Sequence, residues 1–247
     1  MKANILGCMV NIKSMDQTVQ IIEDFIDRGR PSQVITLNAE IIYQAQHNEA
    51  LMKLINKADL VTPDGIGVIW AANQLGFKAS ERVSGIDLLY RLCERAVFKG
   101  WRIYLLGAAP GLAEQAGEEL KRLYPGLCIC GSHHGYFSEA DEPALIEEIK
   151  NLAPAILFVA LGAPRQEFWI DQNKSILGVP VSVGVGGSFD VIAGIKKRAP
   201  RLFITLNLEW LYRLVSEPSR LKRQMVLPRY VGLILREKLR RKNTASR

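Results

Sequence analysis

Short apolar runs alternate with longer stretches of helical periodicity along most of the 247 residues. The helical stretches repeat apolar side chains every three or four positions, as Ile22, Phe25 and Ile26 do downstream of Ser14, a residue type that caps helices. The apolar runs predict strands at 5–10, 34–37, 59–62, 102–106, 127–130, 155–159 and 181–185, and a last amphipathic helix is predicted at 201–215. Because strands and helices alternate, we predict an α/β fold with a doubly wound, mostly parallel sheet built from Rossmann-like halves.

Glycine-rich loops follow three of the later predicted strands, at the points where helices begin. Backbone N–H groups at a helix N-terminus can bind phosphate without a counter-charge from a side chain. Tight packing is the alternative for any one loop, but three such loops in consecutive units favour a nucleotide or diphosphate site. No Walker A loop and no full G-x-G-x-x-G fingerprint is present. The predicted nucleotide-binding residues are Gly107, Ala108, Ala109, Gly162, Ala163, Pro164, Gly186 and Gly187, together with Gly135 and with His134, which is either a ligand contact or a satisfied loop histidine.

The stretch 60–67 ends a short apolar run with Pro63, Asp64, Gly65 and Gly67, and a helical pattern follows at once. A strand that ends at the mouth of a helix is where open α/β sheets bind ligands. Asp64 has two interpretations, as the N-cap of that helix or as a general base that takes a proton from a sugar hydroxyl. The residues alone do not decide between them.

Further polar side chains stand at the ends of other predicted strands. Thr36 and Asn38 lie two positions apart on one side of a strand end, so they suit either helix capping or the binding of sugar hydroxyls. Gln166 and Glu167 open the helix that follows the 162–164 loop. Gln166 is a candidate ligand contact, whereas Glu167 is expected to complement the helix dipole.

The composition is that of a folded globular protein, with 48% hydrophobic and 23% charged residues, and it excludes disorder for the body of the chain. No apolar run reaches the length of a transmembrane helix. The N-terminus carries one lysine before a short apolar patch, which we interpret as a strand and not as a signal peptide, so a cytoplasmic location is expected. Four cysteines are expected to be reduced, and the alternating pair Cys128 and Cys130 is interpreted as buried small hydrophobic residues.

The formal net charge of +7 lies almost entirely in the C-terminal tail. Residues 217–247 contain ten Lys or Arg and two Asp or Glu, whereas residues 1–216 are nearly neutral. Apolar side chains recur at helical spacing among these cations after Pro228, as in helices that lie on anionic membranes. A helix that packs in an oligomer and an RNA-binding tail are the alternatives, and the lack of interleaved aromatic residues disfavours nucleic acid. We therefore predict an α/β core at 1–216 and a basic amphipathic helical appendage at 217–247.

Residues that ligate metals are sparse in this chain. There is no Asp-x-Asp motif, and two of the three histidines, His133 and His134, are adjacent. No resident metal and no cofactor are therefore predicted. A phosphate leaving group would instead be stabilised by helix dipoles and by cations such as Arg82, Arg165 and the basic tail.

Several motifs occur together in this chain. In order they are VTPDGIG at 61–67, LLGAA at 105–109, HHGYF at 133–137, LFVALGAP at 157–164, GVGGSFD at 184–190 and KRAP at 197–200. Together they resemble the WecG/TagA/CpsF glycosyltransferase family over nearly the whole chain. The resemblance implies an inverting, metal-independent transferase that moves an N-acetylmannosamine-type sugar from its UDP donor to a GlcNAc-diphospho-polyprenol lipid, as in teichoic acid and cell wall biogenesis. It also implies a peripheral enzyme on the inner face of the cell membrane, and a homo-oligomer that otherwise buries the tail.

The resemblance also assigns roles to particular positions. Asp64 matches the proposed general base, and Thr36 and Asn38 match positions that contact the acceptor or the sugar. Arg82 and Gln166 match residues of the active-site pocket. The tail arginines that would close over the site and meet the diphosphate are Arg213, Arg220 and Arg223.

Three other functions stay open at this point. The donor sugar could be N-acetylmannosaminuronic acid or another UDP-sugar, since Arg82 or Arg165 could pair with a uronate. A non-catalytic regulator that binds nucleotide sugars would use the same loops. An NAD-type oxidoreductase shares this kind of sheet, but the missing dinucleotide fingerprint argues against it.

Overall fold

The structure is a computed structural model that describes residues 1–206, 208–216 and 225–245. Its strands are β1 (Lys2–Ile5), β2 (Cys8–Asn11), β3 (Ser32–Leu37), β4 (Leu60–Pro63), β5 (Arg102–Gly107), β6 (Cys128–His133), β7 (Ile156–Ala160) and β8 (Val181–Gly184). Six of them form one sheet in the order β4-β3-β8-β7-β5-β6, and every pair of neighbours is parallel. The predicted α/β fold with a mostly parallel sheet is thus confirmed.

Helices follow or precede almost every strand. They are α1 (Met15–Arg28), α2 (Ala39–Ala45), α3 (Glu49–Lys57), α4 (Ile66–Gln74), α5 (Gly85–Lys99), α6 (Leu112–Leu123), α7 (Glu142–Leu152), α8 (Arg165–Leu177), α9 (Ser188–Ile192), α10 (Arg201–Thr205), α11 (Glu209–Ser216) and α12 (Val226–Ala245). Local sequence sets several of their ends. Ser14 and Gln17 form a capping box at the start of α1, and Gly29 ends that helix in a left-handed conformation.

Alternate residues of the sheet face two different apolar clusters. On β3, Val34 packs in the cluster beneath α1 and α5, whereas Ile35 and Leu37 pack in the cluster beneath α2, α3 and α4. Since successive side chains of a strand point to opposite faces, both faces of the sheet are covered by helices. All six carboxyl ends of the parallel strands therefore lie at one edge of the sheet, where the loops can meet.

The structure overturns two predicted elements. The single strand predicted at 5–10 is instead divided by a hairpin turn: Ile5 ends β1, Leu6 and Gly7 form the turn at φ 50° and 89°, and residues 8–10 belong to β2, which pairs antiparallel with β1. The Gly7 N–H donates to Asn4 Oδ1 at 2.8 Å, and the apolar pattern runs through this turn without a break. The helix predicted at 201–215 is divided into α10 and α11.

The expectation that Cys128 and Cys130 are buried is also wrong. Both lie on β6, an edge strand of the sheet, where Cys128 is exposed and Cys130 is half-buried. Cys130 is moreover the extra residue of a bulge, because Ile129 pairs with Ile103 while Gly131 pairs with Tyr104.

The C-terminal helix α12 packs against the body of the protein. Tyr230 and Ile234 are fully buried in the cluster beneath α2 and α4. Lys238 Nζ donates to Gln74 Oε1 at 2.7 Å, and the Arg241 guanidinium lies over the Phe77 ring at 5.8 Å. No helix of the described residues is long and apolar enough to span a bilayer. Two cations of the basic tail thus fix α12 to the core.

Candidate active site

A cavity of about 870 Å³ lies at the carboxyl ends of β3, β4 and β8. On the side away from the sheet it is bordered by α11 and by the start of α12. Among the described residues that line it, the charged ones are three acids and one arginine, namely Glu40, Asp64, Glu209 and Arg82. Apolar side chains of the two C-terminal helices complete the wall: Trp210, Leu214, Met225, Leu227, Tyr230 and Val231.

Asp64 follows β4 and lines this cavity, next to the first residue of α5. Its backbone N–H donates to Leu37 O at 2.8 Å, which joins the end of β4 to the end of β3. The N-cap position of α4 is held by Gly65, with no side-chain capping bond, so the N-cap interpretation of Asp64 is wrong. The Asp64 Oδ2 atom instead accepts from the backbone N–H of Gly85 at 3.5 Å. The carboxylate is therefore directed towards the positive end of the α5 dipole.

Asn38 and Thr36 take different places at the end of β3. Asn38 Oδ1 accepts from the Ile41 N–H at 3.0 Å and so caps α2, while the residue also lines the cavity. Thr36 does not line it, because its hydroxyl is buried and donates to Gly184 O at 2.9 Å. A Cβ added at Gly85 would lie 3.2 Å from the Thr36 hydroxyl, so Thr36 lies beneath the start of α5.

Arg82 projects into the cavity from the segment before α5. Its Nη1 atom is 2.9 Å from Glu209 Oε2 on α11, and both side chains are largely buried. The Glu209 carboxylate, from the C-terminal region, therefore orients Arg82, which the family resemblance assigns to the active-site pocket. Glu209 was not predicted from the sequence, since its only local signal is its place in the first turn of a helix.

The predicted nucleotide loops meet next to this cavity, at the ends of β5, β6 and β7. The Ala108 N–H donates to Ala160 O at 3.0 Å, and the Gly135 N–H donates to Ala108 O at 2.8 Å. At Gly107, with φ 131°, a Cβ would lie 2.5 Å from the Ala160 backbone, so only glycine fits this crossing. Helices α6 and α8, which follow these loops, have no side-chain cap.

His134 and Arg165 make local contacts beside these loops. The His134 Nδ1 atom accepts from the Tyr136 N–H at 3.3 Å, as the loop-histidine interpretation expects. The Arg165 guanidinium lies 5.6 Å from the centre of the Phe137 ring. The loop that contains Gly162, Ala163 and Pro164 has a cis peptide bond between its last two residues. Of the predicted nucleotide residues, Gly187 is the one that lines the cavity among the described residues.

Gln166 and Glu167 are buried beneath the same edge of the sheet. The Gln166 Oε1 atom accepts from the Gly186 N–H at 3.0 Å, and its Nε2 atom donates to Glu167 Oε1 at 2.8 Å. Gln166 thus holds the loop after β8 from below and does not line the cavity. Burial raises the pKa of Glu167 to about 7.

The tail arginines lie outside the described residues, since Arg220 and Arg223 fall in the gap at 217–224 and the side chain of Arg213 is not described. Among the side chains that are described, no three His, Cys, Asp or Glu residues come together as metal ligands. The site that the structure assembles thus consists of Asn38, Asp64, Arg82 and Gly187, with Glu209 added.

Comparison with known proteins identifies a family that matches nearly the whole chain. The model of the Glycosyl transferase WecG/TagA/CpsF family matches residues 3–244. An N-acetylglucosaminyldiphosphoundecaprenol N-acetyl-beta-D-mannosaminyltransferase of Bacillus spizizenii is 37% identical over 212 residues, which cover 86% of this chain and 82% of that protein. A protein of the same name from Staphylococcus aureus strain MW2 is 34% identical over 239 residues, which cover 96% of this chain and 93% of that protein.

Proposed function

The chain belongs to the WecG/TagA/CpsF glycosyltransferase family, and we propose that it transfers N-acetylmannosamine from its UDP donor to GlcNAc-diphospho-undecaprenol. The observation that carries this proposal is the placement of Asp64. The carboxylate lies at the carboxyl edge of a parallel sheet, in a cavity of about 870 Å³ that also contains Asn38 and Arg82. The names of the two relatives describe the same transfer.

In the proposed reaction Asp64 acts as the general base. It removes the proton from a hydroxyl of the acceptor GlcNAc, and that oxygen attacks the anomeric carbon from the face opposite UDP. The new bond joins the acceptor oxygen to the anomeric carbon, and the bond from that carbon to the UDP oxygen breaks, leaving both electrons on UDP. The configuration at the anomeric carbon is therefore inverted.

The departing UDP would be stabilised by the loops at the ends of β5, β7 and β8. Helices α6 and α8 begin there without side-chain caps, so their first N–H groups are directed to the edge of the sheet. Arg82 supplies a cation within the cavity. The tail residues Arg213, Arg220 and Arg223 remain proposed contacts for a diphosphate.

The charges of the cavity favour an uncharged donor sugar. Three acids and Arg82 line it among the described residues, and Arg82 is paired with Glu209. A uronate would bring a further negative charge next to these carboxylates, which costs free energy. N-acetylmannosamine is therefore preferred here over its uronic acid.

A lipid acceptor also accounts for the apolar rim of the cavity. Of the apolar side chains that line the cavity, Trp210, Met225 and Val231 are exposed, and Leu235 and Leu239 follow Val231 at four-residue spacing on the exposed surface of α12. Contiguous apolar surface of this kind marks a membrane or protein interface. We propose that it rests on the inner face of the cell membrane, and that a homo-oligomer covers it away from the membrane.

The test of the catalytic assignment is Asp64→Asn, with exposed Asp27→Asn as the matched control. We expect release of UDP in the presence of a short-chain GlcNAc-diphospho-lipid to fall at least 10²-fold in the first variant, since general-base catalysis contributes on the order of 10²–10⁴-fold. UDP binding should persist in both. A near-normal rate in Asp64→Asn would exclude its role as base, and a wild-type protein that binds UDP-sugars without turnover would indicate a non-catalytic regulator.

The test of the membrane surface replaces Leu235 and Leu239 together by serine. Leu123→Ser on α6 is the control, because that leucine is also exposed but lies far from the C-terminal stripe in the sequence. Sedimentation with phosphatidylglycerol vesicles should decrease in the first variant alone. Sedimentation velocity of the same variants distinguishes an oligomer interface, which would dissociate without any change in vesicle binding.

A further inference from the structure

The first turn of α8 contains two buried polar side chains next to the site. Gln166 and Glu167 are 2% and 1% exposed. The Gln166 amide joins two partners, since it accepts from the Gly186 N–H and donates to the Glu167 carboxyl. Gly186 is followed by Gly187 and Ser188, which line the cavity. The Glu167 carboxyl is thus two hydrogen bonds away from the wall of the site.

Three polar atoms in this region have no hydrogen-bond partner in the part of the chain that the structure describes. They are Glu167 Oε2, Gln33 Oε1 and Ser182 Oγ. Gln33 and Ser182 are direct neighbours in the register of β3 and β8. The Gln33 amide also donates to the backbone oxygen of Glu167 at 2.9 Å, so the strands and the helix meet at this acid. Unsatisfied buried groups of this kind are rare, so three of them around one acid call for a physical explanation.

The end of β8 is built around this arrangement. A Cβ at Gly184 would lie 2.6 Å from Gln166 Nε2 and 3.1 Å from Glu167 Oε1, so a side chain there would displace the pair. On the other side of the same residue, Gly184 O accepts from the Thr36 hydroxyl. The Gln166–Glu167 pair therefore packs against the end of β8, and Thr36 holds the same residue by a hydrogen bond.

We propose that Glu167 is a positioning residue for sugar transfer, which holds the Gln166 amide and thereby the backbone of the 186–188 loop. The kinetic part of this inference, an effect on sugar transfer, rests on the proposed function. Its structural part, the coupling of Glu167 to the Gly186 N–H, can be measured without turnover.

The neutral form of the acid suits this role. A proton on Glu167 Oε2 would turn an acceptor without a donor into a donor, while Oε1 still accepts from Gln166. A charged carboxylate would instead place a buried negative charge beneath a loop that is proposed to border a diphosphate. The raised pKa of Glu167 means that the two forms exchange near neutral pH.

No described charged group pairs with Glu167. Charged side chains on the elements packed around Glu167 occur on α3, α7 and α8, and each makes its contacts elsewhere: Glu49 with Lys53, Lys57 with Asp171, Glu142 with Asn173, Glu147 with Lys150, Glu148 with Tyr104, Arg165 with the Phe137 ring, and Lys174 with Asp59 and Asp171. The pH dependence of the Gly186 environment should accordingly follow the titration of the Glu167 carboxyl alone.

The experiment compares wild type, Glu167→Gln and Glu167→Ala, with exposed Glu147→Gln on α7 as the control. In the wild type and the control, the amide resonance of Gly186 should shift with pH around a midpoint near 7. Glu167→Gln mimics the protonated acid and should keep the Gly186 resonance at its low-pH position throughout. Loss of the hydrogen-bonded Gly186 signal is expected in Glu167→Ala.

The kinetic measurement uses the same proteins between pH 5.5 and 9. Glu167→Gln should stay within about threefold of wild type at pH 7 and lose the decline in kcat above that pH. Glu167→Ala should lower kcat by at least tenfold. Should Glu167→Ala fail to fold, the Gly186 titration in wild type and Glu167→Gln decides alone.

Two results would overturn the proposal: a Gly186 resonance that titrates equally in wild type and Glu167→Gln, or an alkaline decline in kcat that survives the glutamine substitution. If the wild type shows no turnover with any UDP-sugar, the proposed function fails. The coupling of Glu167 to Gly186 is then still decided by the resonance.

Discussion

The docking of α12 can be tested with a single large-to-small substitution at its buried face. Ile234 is fully buried in the cluster that also contains Tyr230, and Tyr230 lines the cavity. Ile234→Ala removes three buried carbon atoms and leaves a space that the surrounding core fills only in part. Substitutions of this kind cost 2–5 kcal/mol, and we expect about 3 kcal/mol here. This corresponds to roughly a hundredfold shift from docked to undocked helix, because 1.4 kcal/mol is a factor of ten.

Urea unfolding gives the global effect, and hydrogen exchange of the α12 amides gives the local one. The control is Leu239→Ala on the same helix, where the side chain is 62% exposed and the change should stay within about 0.5 kcal/mol. If Ile234→Ala altered stability and exchange no more than Leu239→Ala does, α12 would not be held by its buried face. Loss of transferase activity should accompany undocking, since α12 forms part of the cavity wall.

Three further predictions concern the body of the protein. Gly184→Ala should lower the free energy of unfolding in urea by about 1–3 kcal/mol, because its Cβ would lie 2.6 Å from Gln166 Nε2. Burial raises the pKa of Glu167 from 4.5 to about 7, so the folded protein retains a proton that the unfolded chain releases. The free energy of unfolding of the wild type should therefore fall by about 3 kcal/mol as the pH rises from 4.5 to 7. Glu167→Gln should lack this slope, and an unchanged slope in that variant would contradict the assignment. Iodoacetamide should label exposed Cys128 in the native protein but leave Cys93 unmodified, since burial raises the pKa of its thiol to about 12, and mass spectrometry of the peptides checks this.

Much of the fold could be predicted because the strands that carry it are buried on both faces. Each of the predicted strands at 34–37, 102–106, 155–159 and 181–185 overlaps a strand of the parallel sheet almost completely. Where the apolar pattern did not change at a turn, prediction failed, as at Leu6 and Gly7 in the β1–β2 hairpin. The exposure of Cys128 and Cys130 could not be predicted from the apolar pattern either. Alternation along a strand does not show whether that strand lies at the edge of the sheet, as β6 does.

For the site, the sequence by itself determined that Asn38 and Asp64 stand at strand ends, and both border one cavity together with Arg82. Only the tertiary structure decided which groups they meet. Glu209 pairs with Arg82 across 127 positions of chain, and Asp64 receives its N–H donor from Gly85, 21 positions away. Such pairings depend on strand order and helix packing, which are set by contacts between distant segments. Local patterns determine elements and their ends, whereas the partners of a buried polar group follow from the whole fold.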